Sequence, residues 1–107
     1  MNAPLSGPIR RIGLAYNPTS AAAVALAPRM AELCSRNGIE TWSAMAGERE
    51  TLVRLLSGTD ALVVLGGDGT FLLAASAVAI VDVPILGINL GKVGFLSKVE
   101  AEELDGL

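Results

Sequence analysis

The feature that most constrains the fold is an uninterrupted apolar run, Ala61-Leu62-Val63-Val64-Leu65. A strand with one solvated face alternates apolar and polar residues, whereas a parallel strand covered on both faces is apolar throughout. A glycine-rich turn, Gly66-Gly67-Asp68-Gly69-Thr70, follows the run directly. We therefore predict the central strand of an α/β sheet that turns at once into a helix.

Three further strands and three helices are predicted along the chain. Thr19 or Ser20 can cap the first helix, and Gly38 lies where that helix should end. Pro28, inside the same segment, predicts that the helix is kinked or divided in two. The predicted strands cover 9–16, 39–43, 61–65 and 84–89, and the predicted helices cover 20–37, 48–56 and 71–81.

The regular alternation of strands and helices predicts a Rossmann-like parallel sheet of four strands. Right-handed crossovers between neighbouring elements favour the strand order 2-1-3-4. The order then reverses between the first and third strands, and ligands of such sheets bind at that point. We expect Asn17 and Asp68, which follow these two strands, to lie in one cleft.

With 107 residues, 51% of them hydrophobic, the chain has the size and composition of one globular domain. Residues 1–8 contain two prolines and a glycine and are predicted to be a flexible tail, which leaves 9–107 as the α/β domain. Ser97, followed by Glu100, matches a capping box and predicts a helix that would have barely begun at Leu107. This ending favours truncation of the chain before a further domain.

Composition excludes several classes of function. The net charge is −3 and no basic cluster is present, which argues against nucleic-acid binding. No secretion signal precedes the domain, and no apolar stretch reaches the roughly 20 residues that span a bilayer. The chain has no histidine, so catalysis by imidazole is excluded within it. The single cysteine, Cys34, is predicted to be a core residue, and we expect a reducing, cytoplasmic location.

The glycine turn after the third strand is the main candidate for chemistry. Glycines without a Cβ allow phosphate to approach the backbone N–H groups at a helix start. No Gly-Lys-Ser or Gly-Lys-Thr follows, and Leu72 stands where the dinucleotide fingerprint needs its third glycine. Asp68 can accept a proton, bind a hydroxyl or help to place Mg²⁺, or it can serve only as a helix N-cap. Sequence position alone leaves these alternatives open.

Two asparagines are secondary candidates, because Asn17 and Asn89 end the first and fourth strands. Each side chain can order its own loop or contact a phosphate.

Two motifs together strongly resemble the ATP-NAD kinase family, and the resemblance covers the chain from the first strand to Leu107. The first is Gly66-Gly67-Asp68-Gly69-Thr70-Phe71-Leu72. The second, more specific motif is Leu86-Gly87-Ile88-Asn89-Leu90-Gly91-Lys92-Val93-Gly94-Phe95-Leu96. The resemblance implies the N-terminal domain of a two-domain kinase that transfers phosphate from ATP or polyphosphate to the 2′-hydroxyl of the adenosine ribose of NAD, giving NADP.

The resemblance also implies roles for individual residues. Asp68 matches the proton acceptor of the family, and Gly69 matches a neighbouring residue of the NAD site. Phe95 and Leu96 match positions that pack against the dinucleotide, although Phe95 can instead anchor the glycine loop. The candidate binding residues are Gly67, Asp68, Gly69, Thr70, Asn89, Phe95 and Leu96. A divalent metal such as Mg²⁺ is implied, but no metal-ligand set is assigned.

The sequence departs from the family pattern at Leu73, where a basic or polar residue is common, and at Ser76, where arginine is common. Contacts of those side chains to phosphate or ribose are therefore in doubt. The family's C-terminal domain, with much of the NAD cleft, is absent from this chain, and a homo-oligomer is expected of the full-length protein. Two alternatives remain: a lipid or sugar kinase domain that uses the first motif, and an isolated domain without catalysis.

Overall fold

The computed structural model describes residues 8–90, which form one four-stranded, all-parallel sheet flanked by three helices. The strand order is β2-β1-β3-β4, which confirms the predicted 2-1-3-4 topology. In chain order the elements are β1 (Arg11–Tyr16), α1 (Ala21–Arg36), β2 (Glu40–Met45), α2 (Arg49–Leu56), β3 (Ala61–Gly66), α3 (Asp68–Val78) and β4 (Ile85–Asn89).

β3 lies inside the sheet, between β1 and β4, and is covered on both faces. Leu62 and Val64 pack into a cluster with α2 and α3, whereas Val63 and Leu65 pack into a second cluster with α1. Alternate residues of a strand point to opposite faces, so an apolar residue is needed at every position of β3. This explains why the run that dominates the sequence shows no alternation.

Helix α1 is one continuous element, so of the two predicted effects of Pro28, a kink or a division of the helix, the division is wrong. Ser20 caps the helix by accepting a hydrogen bond from the Ala23 N–H at 3.1 Å, as the sequence predicts. Pro28 lies on the exposed side of the helix, while Leu26 and Ala27 are buried against the sheet. The cost of one missing backbone hydrogen bond on the solvent side is offset by this burial.

The single tryptophan of the chain fixes the pairing of the edge strand β2. Gly13 of β1 pairs in register with Trp42 of β2, and the indole ring occupies the space that a Cβ at residue 13 would need. The ring N–H donates to the Thr59 hydroxyl at 2.9 Å, and that hydroxyl donates to the Leu55 carbonyl at 2.6 Å. Trp42 thereby connects the edge of the sheet to the end of α2.

Helix α3 begins at Asp68 and ends at Val78, three residues earlier at each end than the predicted 71–81. Gly67 is the N-cap residue, so the interpretation of Asp68 as the N-cap is wrong, and Asp68 is the first residue of the helix. The two glycines at 67 and 69 suggested a longer turn. Thr70 and Phe71 pack against the sheet and keep this glycine-containing segment helical.

Several predictions concern residues outside the described range of 8–90. These are most of the tail at 1–8, the capping box at Ser97 and Glu100, and the candidate residues Phe95 and Leu96. Within the described range, Cys34 is buried, as predicted for a core residue. The same range contains no helix that is long and apolar enough to cross a membrane.

Candidate functional site

Two strand-to-helix turns lie side by side at the carboxyl edge of the sheet. The backbone N–H of Asn17, after β1, donates to the carbonyl of Leu65, near the end of β3, at 3.1 Å. This bond places the turn after β1 next to the turn after β3, as the strand order predicts.

A cavity of about 220 Å³ opens at the same edge, between β3 and β4. Its described lining consists of Val64, Gly66, Gly67, Asp68, Phe71, Gly87, Ile88 and Asn89. The ligand site was expected where the strand order reverses, between β1 and β3. Asn17 does not line the cavity, which lies one strand further along the sheet, between β3 and β4. Of the three lining glycines, Gly67 has open space where a Cβ would lie, whereas Thr70 and Phe71 fill that space at Gly66 and Gly87.

The turn after β3 brings a carboxylate to the mouth of this cavity. Gly67 has extended backbone angles and, as the N-cap residue, makes no side-chain hydrogen bond to the start of α3. The N–H groups of the first helical turn have no acceptor within the helix, and they concentrate the positive end of the helix dipole. Asp68 is exposed to solvent at this position. A carboxylate and a set of backbone donors therefore lie within one turn of helix.

Asn17 orders its own loop. Its side-chain oxygen accepts hydrogen bonds from the Thr19 N–H at 2.9 Å and from the Thr19 hydroxyl at 2.8 Å. The loop-ordering alternative for Asn17 is the one that these contacts favour.

Asn89 is differently placed, because it is one of the residues that line the cavity. It ends β4 in register with Gly66 of β3, and the next residue, Leu90, donates its N–H to the Gly66 carbonyl at 2.9 Å. Asn89 and Asp68 therefore border the same space from neighbouring strand ends.

The remaining candidates on α3 lie apart from the cavity. Thr70 is buried, with its side chain against Gly66, and Gly69 is exposed. Leu73 is 55% exposed, and the Ser76 hydroxyl donates to the Leu73 carbonyl at 2.7 Å. The two positions that depart from the family pattern thus lie on the solvent side of α3.

Sequence reasoning missed two residues that shape the cavity, Phe71 and Gly87. The Phe71 ring occupies the position of a Cβ at Gly87, with Cδ1 2.7 Å from that position. The available signal was a glycine inside a strand, which often marks the close approach of another group.

At the opposite, amino edge of the sheet, a carboxylate is held by backbone hydrogen bonds. The Asp60 carboxylate, before β3, accepts hydrogen bonds from the backbone N–H groups of Arg10 at 2.7 Å and Arg11 at 3.0 Å. These two bonds lower the pKa of Asp60 below its ordinary value.

Burial raises the pKa of the Cys34 thiol, which keeps it protonated and unreactive.

Comparison with known proteins identifies the relationship that this arrangement suggests. A family profile described as the ATP-NAD kinase N-terminal domain matches residues 11–107. An NAD kinase of Dehalococcoides mccartyi is 38% identical over 94 residues, which is 88% of this chain and 33% of that protein. An NAD kinase of Solibacter usitatus is 37% identical over 103 residues, covering 90% of this chain and 36% of its own length.

A third relative, an NAD kinase of Rhodococcus opacus, is 47% identical over 68 residues, covering 64% of this chain and 20% of its own length. The chain therefore spans about a third or less of the length of these three relatives. Since the family profile covers the chain from the first strand of the sheet to Leu107, this chain belongs to the ATP-NAD kinase N-terminal domain family.

Proposed function

We propose that this chain is the N-terminal part of an NAD kinase that phosphorylates the 2′-hydroxyl of the adenosine ribose of NAD to give NADP. The observation that carries the proposal is the position of Asp68, which lines a cavity and is the first residue of α3, after an N-cap glycine without a side-chain cap. Membership of the family and three relatives named NAD kinase support the identity of the substrate.

The proposed chemistry follows from the groups at this edge. A ribose hydroxyl is a poor nucleophile at neutral pH, and a carboxylate in hydrogen-bond contact can orient it and take its proton. In the proposed step the 2′-oxygen forms a bond to the terminal phosphorus of the donor as the bond to its leaving group breaks. The proton passes from the 2′-oxygen to the Asp68 carboxylate. With ATP as donor the products are NADP and ADP.

The other residues of the turn are proposed to bind rather than to react. Gly67, Gly69 and Thr70 present the backbone N–H groups of the turn, which suit a phosphate of either substrate. Asn89 is proposed to donate or accept hydrogen bonds across the cavity. Phe95 and Leu96, which lie outside the described residues, are proposed from the motif alone to pack against the dinucleotide.

The cavity is smaller than a complete small-molecule pocket. Its volume of about 220 Å³ compares with the roughly 300–1,000 Å³ that is usual for such sites. We therefore propose that a C-terminal domain, absent from this chain, supplies the rest of the NAD cleft. A cytoplasmic location and a homo-oligomer of the longer protein belong to the same proposal.

A divalent metal is part of the proposal only as a companion of the phosphoryl donor. The described residues contain no group of three or more metal-ligating side chains. Mg²⁺ commonly uses one or two carboxylates together with substrate phosphates, and Asp68 is the carboxylate that lines the cavity. When bound, the metal would neutralise phosphate charge.

The experiment is a phosphoryl-transfer assay of the longer protein that contains this chain, with NAD, a diacylglycerol and a sugar phosphate as separate acceptors. Each acceptor is tested with ATP and with polyphosphate. NADP formation alone is expected, and transfer to the lipid or sugar acceptor instead would overturn the proposal. The 107-residue chain, free of host enzyme, is the matched comparison and should form no NADP above the blank, because the acceptor is held from only one side.

A further inference from the structure

The first turn of α3 packs against the sheet at two glycines, which leave space for its side chains. At Gly87 of β4, a Cβ would lie 2.7 Å from Cδ1 and 3.0 Å from Cε1 of Phe71. Ordinary van der Waals contact of a Cβ begins at about 3.4 Å, so an added methyl group and the ring cannot both keep their places.

A second contact of the same kind lies on β3. A Cβ at Gly66 would lie 2.6 Å from Oγ1, 2.8 Å from Cβ and 2.9 Å from Cγ2 of Thr70. The Cβ of Thr70 is bonded directly to the helix backbone, and a β-branched side chain has few alternative rotamers. A substitution at Gly66 would therefore displace the helix itself.

These two contacts lie immediately beside the carboxylate of the proposed site. Thr70 and Phe71 follow Asp68 by two and three residues, within the same helical turn. Gly66, Asp68, Phe71 and Gly87 all line one cavity. The height of the helix start above β3 and β4 therefore determines the position of the Asp68 carboxylate relative to the strand ends.

We infer that Gly66 and Gly87 are positioning residues, which set the location of Asp68 by admitting Thr70 and Phe71 against the sheet. This inference rests on the proposed function where it concerns catalysis. Its structural part, the coupling of Gly87 to Asp68 through Phe71, can be measured without any activity.

The test uses Gly87→Ala, Phe71→Leu and the double variant, together with Gly47→Ala as a matched control. Gly47 has open space where a Cβ would be added, so the same change there meets no neighbouring atom. In the longer protein, Gly87→Ala should lower kcat by about 10- to 100-fold, since displacement of a reacting group by about 1 Å can have that effect. The KM for NAD should change much less than kcat.

The smaller side chain of Phe71→Leu should restore a large part of the lost kcat in the double variant, because it relieves the contact with the new methyl group. In the 107-residue chain, NMR should show amide shifts of Asp68 and Gly69 that change in Gly87→Ala and return toward the original values in the double variant. Gly47→Ala should leave both kcat and these amide shifts unchanged.

Different results distinguish the failure of this inference from the failure of the proposed function. Unchanged amide shifts at Asp68, or a kcat that Phe71→Leu does not restore, would overturn the positioning role. Reduced stability with an unchanged kcat in Gly87→Ala would also overturn it. Absence of NAD kinase activity in the unsubstituted longer protein would reject the proposed function, while the NMR comparison would still decide the coupling.

Discussion

The turns after β1 and β3 begin a helix at the same edge of the sheet, yet their polar groups are used differently. After β1, Ser20 caps α1 and Asn17 bonds twice to Thr19, so the turn satisfies its own hydrogen-bonding groups. After β3, Gly67 provides no side-chain cap for α3, and a cavity opens beside the turn. The Ser20 side chain already uses an N–H group at the start of α1, whereas a helix start without a side-chain cap keeps such groups for an anion.

The largest expected effect is a loss of activity on substitution of Asp68, in the turn after β3. Asp68→Asn in the longer protein should lower kcat by at least about 100-fold, because the substitution keeps the shape of the side chain and removes the base. The unfolding free energy should fall by less than about 1 kcal/mol, which is the scale of a single charge near an exposed helix start. Steady-state kinetics and urea unfolding measure the two quantities. A kcat close to that of the unsubstituted protein would leave the turn with a binding role only.

The second prediction concerns a substitution that gives the turn after β3 a side-chain cap like that of the turn after β1. Gly67→Ser introduces a side chain that can cap α3, and open space surrounds the position where its Cβ would lie. The new hydroxyl competes for the N–H groups proposed to face phosphate, so KM for NAD or for the donor should rise by about 10-fold or more, the value of a hydrogen bond to a charged group.

Stability should change little in the same variant, by a few tenths of a kcal/mol, since glycine is already an acceptable N-cap. Gly47→Ser is the matched control for adding a hydroxymethyl group in open space. An unchanged KM for both substrates would show that the N–H groups of this turn do not hold either of them.

The third prediction concerns removal of the side-chain cap of α1, after β1. Ser20→Ala should lower the unfolding free energy by about 1 kcal/mol, because the Ala23 N–H loses its acceptor. The kcat of the longer protein should be unaffected, and Ser20→Asp should retain most of the stability. Urea unfolding of the three proteins provides the measurement, and a fall in kcat with intact stability would contradict the division between the turns.

The sequence predicted the sheet more fully than the site, for physical reasons. Strand order follows from chirality and from the covered pattern of β3, and both are local properties that a single sequence displays. The start of α3 was misplaced because glycine is a poor helix former, whereas the contacts of Thr70 and Phe71 with the sheet are long-range. The continuity of α1 through Pro28 was missed for a similar reason, since it depends on burial of the opposite side of the helix.

The place of the candidate site could be predicted from the sequence, whereas its chemistry stays a prediction and its full geometry was not foreseen. The position of Asp68 at the end of a buried strand could be deduced from the glycine turn that follows β3. The part played by Gly87 and Phe71 could not, because their contact joins β4 to α3 and neither residue carries a functional group. The position of the cavity between β3 and β4, rather than between β1 and β3, could not be predicted for the same reason.

The smallest expected effect concerns a second carboxylate next to β3, at the opposite edge of the sheet. The pKa of Asp60 is lowered in the folded chain because its carboxylate accepts two backbone N–H bonds. The bonded carboxylate therefore contributes stability that is complete above the unfolded pKa, about 4, and is lost as pH falls through the lower folded pKa. Asp60→Asn should reduce this acid-dependent part of the unfolding free energy, measured by urea unfolding between pH 2 and 6. An identical pH dependence in the two proteins would contradict the structural role of Asp60.

The location of Trp42 makes the chain its own spectroscopic reporter. The only tryptophan lies over Gly13 on the edge strand β2, with its indole N–H bonded to Thr59. Neighbouring strands are about 4.8 Å apart, so the indole is separated from the β3–β4 cavity by most of the width of the sheet. Its fluorescence should follow the loss of β1–β2 pairing during unfolding, while substrates at the cavity would leave the emission free of direct quenching. Unfolding of the chain can thus be followed by Trp42 emission in the presence of substrate.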